Sequence, residues 1–247
     1  MFMPSIPTRR LSLSLHTLED RTVPAVFHLS GGGEALRGDI LTANTNIDAT
    51  NTINLDAGDY SLTNTALGAL SITNGNGTVP SKTLTIIGAG AATTTIDAAS
   101  GWADRIAKIE GTGITVEFKD LTITGGHVES AAGNNPATAQ GGGLLILGGD
   151  VTLDGVTVSG NTVKGAPGIG GGNGAAGKPG AGAQNGGDAQ GGGIYLSGGS
   201  LTLTNATISG NSAEGGEGGK GGDGGDGTDG DDGTDGGNGT TGVNGPP

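Results

Sequence analysis

Cysteine is absent from this chain of 247 residues, so neither a disulfide framework nor a cysteine-based zinc site exists, and redox chemistry gives no clue to compartment. Aromatic residues are scarce: Phe2, Phe27, Tyr60, Trp102, Phe118 and Tyr195 are all there are. Set against 56 glycines, this argues against an ordinary globular enzyme, and any core must be built from Ile, Val and Leu. No apolar run approaches the ~20 residues of a bilayer span, so no membrane segment is expected. Basic clusters are missing too, and with a formal net charge of -13 the chain lacks the groups that bind phosphate, which argues against a nucleic-acid partner. His16, His28 and His127 have no companion at ligand spacing, so no metal site and no cofactor is expected.

What is present is a repeat. Residues 141–161 (GGGLLILGGDVTLDGVTVSGN) and 191–211 (GGGIYLSGGSLTLTNATISGN) share one length and one pattern. Each runs Gly-Gly-Gly, a short apolar stretch, Gly-Gly, two further alternating stretches, then Gly-Asn. The alternating residues are Leu144 and Ile146, Val151 and Leu153, Val156 and Val158 in the first copy. In the second they are Ile194 and Leu196, Leu201 and Leu203, Ala206 and Ile208. Period two with β-branched enrichment means strands with one buried face, three per copy. The separators, Gly148-Gly149 against Gly198-Gly199 and Asp154-Gly155 against Thr204-Asn205, are too short for crossover helices and recur in register. Copies need to be alike when equivalent strands stack directly on one another about 4.8 Å apart. With the glycine-rich insertion at about 165–190 set aside, roughly two dozen residues remain per turn, within the repeat range of solenoids.

On these residues the chain resembles the right-handed parallel β-helix repeat family, the pectin-lyase-like superfamily. The Gly-Gly-Gly-Leu/Ile openings and the endings at 158–161 and 208–211 are also similar to the GGA[I/L] and FxxN repeats of chlamydial polymorphic outer membrane proteins, with an aliphatic residue in place of the phenylalanine. The resemblance covers roughly residues 35–213 and implies an all-β fold, a right-handed parallel β-helix (solenoid) with a short N-terminal helical cap and a glycine-rich C-terminal tail. The structural repeat positions are Gly143, Ile146, Val158 and Asn161, matched by Gly193, Leu196, Ile208 and Asn211. Domains are expected at 1–26 (targeting or disordered segment), 27–213 (β-helix with cap) and 214–247 (acidic tail).

The first segment resembles the N-terminal motif of many planctomycete surface and secreted proteins, approximately RRLxLExLEDRxxPA. Arg9, Arg10, Leu11, Leu18, Glu19, Asp20, Arg21, Pro24 and Ala25 match, and His16 stands at the usual glutamate. The resemblance implies a secreted or cell-surface location. Its apolar stretch is too short and serine-rich for a standard signal peptide. Next, residues 34–44 place Leu36, Ile40 and Leu41 on one side of a short helix despite Gly38, and this helix is the candidate cap. Strands come after it, with Ile53, Leu55, Tyr60 and Leu62 inward, then Leu84, Ile86 and Ile96, then Ile106 and Ile109, then Ile114, Val116, Phe118, Leu121 and Ile123. Gly88 and Gly90 mark a corner where positive φ is expected. Gly126 stands where the later copies have Asn161 and Asn211. Those asparagines either hydrogen-bond the backbone of the next turn as a ladder or tolerate a left-handed bend.

The third strand of each turn is followed by a polar loop: 127–140, 164–190 and 214–247. Glycine recurs at every third residue from Gly165 to Gly180 and again from Gly215 to Gly245. Three readings are open for the tail: a disordered or loosely extended segment, polyglycine-II-like packing against the 165–180 loop, and a collagen triple helix. Proline only at 246 and 247, with Lys220 the one cation among many carboxylates, argues against the last.

Catalysis on this kind of scaffold requires paired carboxylates, or a basic residue with calcium, on one exposed face. Polygalacturonase-like NTD, GHG and RIK motifs are missing. Arg105, Lys108, Lys119, Asp120 and Asp154 read as scattered solvated residues, and Asp231-Asp232 lies in the tail. The run 221–226 fits the start of a calcium-binding nonapeptide, but Thr228 replaces its bulky apolar residue. The expectation is a non-catalytic, secreted or surface β-helix protein, adhesin-like, whose loops bind envelope or matrix polysaccharide or another surface protein. A polysaccharide lyase or hydrolase is the alternative from fold analogy. A fragment of a longer adhesin is the third reading, because no capping element follows Asn211; self-association at that end is expected there.

Overall fold

The computed structural model describes residues 24–75, 80–133 and 137–227. The chain divides into two compact units, one of Met1–Val128, Gln140–Thr162 and Gly191–Ser212, the other of Glu129–Ala139, Val163–Gln190 and Ala213–Pro247. The described parts of the loops at 164–190 and 214–247 therefore share a unit with the described residues of 129–139.

The first unit is built of parallel sheets. A six-stranded sheet takes Ala25–Leu29, Thr50–Leu55, Lys82–Ile87, Ile114–Lys119, Asp150–Asp154 and Ser200–Thr204 in that order. A five-stranded sheet takes Gly58–Leu62, Thr94–Ala98, Thr122–Thr124, Thr157–Ser159 and Thr207–Ser209, and a four-stranded one takes Leu70–Thr73, Ala107–Glu110, Leu144–Ile146 and Ile194–Leu196. Successive strands thus visit the six-, five- and four-stranded sheets in rotation, and each circuit adds one strand to each. Between the six- and five-stranded sheets the chain bends on a single left-handed residue: Asp120 (φ 50), Gly155 (φ 64) and Asn205 (φ 49). These are the residue types that reach that conformation at least cost. The bends stack, with Asp120 N–H donating to the Asp154 carbonyl at 3.0 Å and Gly155 N–H to the Thr204 carbonyl at 2.9 Å.

Register carries the alternation from circuit to circuit. Val116, Val151 and Leu201 are partners; so are Phe118, Leu153 and Leu203; Ile123, Val158 and Ile208; and Ile109, Ile146 and Leu196. Inward residues of all three sheets join one core cluster with Leu36, Ile40 and Ala43 of the helix. The inward assignment needs one correction. Ile146, Leu153 and Val158 are fully buried, but Leu196 is 44% exposed, Leu203 50% and Ile208 43%. An inward side chain is covered by its partners on either side, and among the described residues the last strand of each sheet has a partner on one side only.

The helix spans Gly33–Thr45 and packs on Gly58–Leu62 and Leu70–Thr73. Leu36 and Ile40 are buried as expected, but Leu41 is 61% exposed, and the face is completed by Ala43 and Asn44. One residue on from Ile40 is a rotation of about 100°, which takes Leu41 off the stripe. A strand that the sequence reading missed, Ala25–Leu29, pairs with Thr50–Leu55 and begins inside the segment assigned to 1–26. Of the matched motif residues, Pro24 and Ala25 lie within the described residues, and those from Arg9 to Arg21 lie outside them. At the 88–90 corner only Gly90 has positive φ (145). Gly88 is required for space instead, since a Cβ there would overlap the Asp120 carbonyl oxygen and come within 2.9 Å of Leu121 and Thr94.

The second unit answers the question left open for the tail. Its described residues form three extended segments, 165–177, 178–187 and 214–226, bonded at every third residue. The N–H groups of Gly165, Gly168, Gly171, Gly174 and Gly177 donate to the carbonyls of Glu214, Glu217, Lys220, Asp223 and Asp226. Those of Ala181, Gln184 and Gly187 donate to Gly172, Ile169 and Ala166, with falling numbers that make the middle segment antiparallel. Gly216, Gly219, Gly222 and Gly225 close the set on Gly187, Gln184, Ala181 and Lys178. This is polyglycine-II-like packing of one chain against itself, and it corrects the expectation of a disordered or loosely extended tail for residues 214–227. It also differs from a collagen triple helix, whose three chains are all parallel. Residues 228–247 lie outside the described residues.

Candidate functional site

The repeat positions come together as a structural lock. Asn161 is its hub: its Oδ1 accepts from Gly126 N–H at 2.9 Å, and its Nδ2 donates to the carbonyls of Ile123 (3.2 Å) and Ser159 (3.1 Å). From the next circuit, Asn211 Oδ1 accepts from Asn161 N–H at 3.0 Å and Asn161 Nδ2 at 2.9 Å, while Asn211 Nδ2 donates to the Val158 carbonyl at 2.9 Å. The left-handed bend falls on Gly160 and Gly210, so the two asparagines are there for the ladder. Gly143 and Gly193 make room for it, because a Cβ on either would press on the amide of Asn161 or Asn211. Gly143, Asn161, Gly193 and Asn211 thus build the ladder, Ile146 and Val158 are buried in the core, and Leu196 and Ile208 stand about half exposed on the last circuit.

The charged residues expected to be scattered are partly assembled. Lys119 Nζ donates to Asp154 Oδ2 at 2.9 Å on the next circuit and to Glu117 Oε1 at 3.2 Å on its own strand. The bond to Asp154 and then the Glu117 carboxylate hold this ammonium above the usual lysine range. Lys108 pairs with Glu110 at 2.8 Å. Arg105 faces Asp104 at 3.7 Å, and Asp104 also accepts the N–H groups of Ala69 and Arg105. His127 Nδ1 lies 2.7 Å from Thr162 Oγ1, and His28 is exposed. Among the described residues no group of three or more His, Cys, Asp or Glu could hold a metal. No helix among them is long and apolar enough to cross a membrane.

Lys82 was missed by the sequence reading. It has the same parity as the inward Leu84 and Ile86, is only 2% exposed, and reaches the end of the helix. Its Nζ donates to the carbonyls of Ala43 (2.6 Å), Asn44 (3.2 Å) and Asn46 (2.8 Å) and to Asn46 Oδ1 (3.1 Å). The helix has no basic residue in its own last turn, so a strand residue supplies the cation that its C-terminus favours. Burial lowers the Lys82 pKa and Asp48 opposes that shift. A lysine at an inward strand position was the signal that could have found it. Lys82→Met keeps the volume but strips the donors, leaving buried carbonyls unsatisfied at about 1–3 kcal/mol. The melting temperature should fall by roughly 2–12 °C in calorimetry; an unchanged melt would contradict the capping role.

At the other end of the helix, Glu34 binds Arg37 at 2.8 Å and accepts the N–H groups of Asn64 and Thr63. Burial raises its pKa, but the Asn64 N–H, Arg37 and the Thr63 N–H outweigh that and hold the carboxyl below its usual 4.5. The folded value being depressed, its contribution is complete above pH 4.5 and disappears as pH falls through the folded value. At 38% side-chain exposure the effect is at most about 1 kcal/mol. Glu34→Gln should therefore melt below the parent at pH 7, and the gap should shrink as pH falls below 4.5; a gap that is the same at every acid pH would refute the assignment.

In the second unit Glu217, Lys220, Asp223 and Asp226 are exposed, while Ala166 is buried. A cavity of about 250 Å³ is lined by Lys164, Pro167, Glu214 and Glu217. Comparison with family models, with curated proteins and with solved structures found no match.

Proposed function

We propose that the chain is a right-handed parallel β-helix of the pectin-lyase-like kind that acts as a non-catalytic, secreted or cell-surface scaffold, adhesin-like in role. Its glycine-rich segments present the binding surface, and its ligand is an envelope or matrix polysaccharide or another surface protein. The observation that carries this reading is the fate of the loops. Each leaves the rotation at the same stage, after the strand in the five-stranded sheet, and their described parts gather into one compact unit held by backbone bonds. Such packing frees nearly every side chain of the unit for contact with something else. The N-terminal motif supports the surface location. Cosedimentation of the full chain with insoluble cellulose, chitin, pectin gel and peptidoglycan tests it: binding that is lost when Glu217, Lys220, Asp223 and Asp226 are all changed to alanine is the expected result. Binding untouched by those changes, or none at all, would count against it.

A polysaccharide lyase or hydrolase is the second reading, and the one observation in its favour is the Glu117–Lys119–Asp154 group on neighbouring strands of one sheet. Incubation with pectate and alginate separates the two. Unsaturated or reducing ends that vanish in Lys119→Met would favour the enzyme.

A further inference from the structure

We infer that the last circuit of the first unit is a self-association face that pairs with a second copy of this chain. Three observations lead there. Ser200–Thr204, Thr207–Ser209 and Ile194–Leu196 are the terminal strands of their sheets, each with a partner on one side only among the described residues. Ser200 N–H donates back to Gly149 and Thr207 N–H back to Val156, so by alternation the N–H groups of Leu201, Leu203 and Ile208 face the open side. Along the same side Leu196, Leu203 and Ile208 stand about half exposed, whereas their register partners Ile146, Leu153 and Val158 are sealed by this circuit. The open face is a continuation of the surface that already binds one circuit to the next.

Charge then selects the occupant. No residue from 189 to 213 is charged, in a chain of net charge -13, while the partner strands one and two circuits back carry Asp150, Asp154, Glu117, Lys119, Lys108 and Glu110. Sheet edges that must stay unpaired are blunted with charge, Pro or a bulge, and these terminal strands carry neither charge nor proline. Two strongly acidic copies can approach closely only through a neutral face, and this is the face where backbone donors, acceptors and apolar side chains are all left over. Residues 228–247 offer a single aliphatic side chain, Val243, too little to cover it. Like faces meeting across a two-fold axis join their strands antiparallel and close the assembly at two copies. At the opposite side of the unit the helix packs on the first strands of the five- and four-stranded sheets and also touches Ala25–Leu29 of the six-stranded one, so the two ends present unlike surfaces, which disfavours head-to-tail growth.

Sedimentation velocity of the full chain over about 1–100 μM, a range that brackets a micromolar dissociation constant, tests this independently of any polysaccharide ligand. The parent should pass from monomer to dimer. Leu203→Lys with Ile208→Lys should stay monomeric with an unchanged far-UV circular dichroism spectrum, while Leu41→Lys, on the exposed side of the helix, should dimerise like the parent. Hydrogen exchange of the parent at the two concentrations covers the case in which the double variant misfolds: the amides of Leu201, Leu203 and Ile208 should slow by about tenfold at the higher one. A parent that is monomeric throughout, as it would be if residues 1–23 covered the face, overturns the inference. So does a dimer that survives the lysines, a species larger than a dimer, or exchange at these amides that ignores concentration.

Discussion

Val158→Asp should unfold the middle of the first unit. Val158 is fully buried between Ile123 and Ile208, its partners in the five-stranded sheet. Replacing it forfeits roughly 1.5–3 kcal/mol of side-chain burial and places a carboxyl among the aliphatic side chains of the core. The group will take up a proton rather than stay ionised, but an unsatisfied buried carboxyl still costs about 1–3 kcal/mol more. The sum is a large part of the roughly 5–15 kcal/mol that holds a domain together. Urea unfolding should show the midpoint falling far below the parent or no folded baseline at all. Ser159→Asp, one residue on and outward, should change stability by no more than about 0.5 kcal/mol. Similar midpoints for the two variants would mean that the inward assignment of this strand is wrong.

The second large effect is expected at Gly222, and its neighbour supplies the control. A Cβ on Gly222 would overlap the Gly172 carbonyl oxygen and sit 2.9 Å from that of Gly171, both backbone atoms with nowhere to go. Gly222 N–H donates to Ala181 at 3.0 Å, and Ala181 N–H to Gly172 at 2.8 Å, so displacing this segment breaks bonds in both directions. Gly222→Val should cost about 3 kcal/mol, the upper range for overpacking, and should abolish hydrogen-exchange protection at Gly168, Gly171, Gln184 and Gly219. Leu153 and Val158 should keep theirs. Gly221→Val should be nearly silent, because nothing lies within 4 Å of a Cβ there. Equal effects at the two positions would refute the three-segment packing.

That contrast explains why the tail was hard to read. The unbroken period from Gly215 to Gly245 catches the eye, yet its described members, Gly215, Gly218, Gly221, Gly224 and Gly227, face outward. The register that touches neighbouring carbonyls is the second one, Gly216, Gly219, Gly222 and Gly225, and in the sequence it stops at Thr228. Reading for the residue that a carbonyl would exclude, rather than for the longest repeat, picks out Gly216, Gly219, Gly222 and Gly225. By contrast, the stacked strands were legible because alternation and copy-to-copy likeness are both local: Leu153 opposite Leu203 and Val158 opposite Ile208 come from alignment alone. Three things were not local. The exposure of Leu203 depends on a missing neighbour, the Lys82 cap joins residues 36 or more positions apart, and the meeting of Lys119 with Asp154 depends on register across circuits. No spacing rule within one strand announces any of them.

The central claim is that successive circuits stack in parallel and in register. Thr52, Thr85, Glu117, Thr152 and Thr202 form one outward row of the six-stranded sheet. Because the chain has no cysteine, nitroxide labels on Thr52→Cys and Thr202→Cys report on this row alone. Four strand spacings separate the two backbones by about 19 Å, so pulsed electron–electron resonance should give a narrow distribution near that value, broadened only by the label arms. A distance beyond about twice that, or no defined distance, would contradict the stacking.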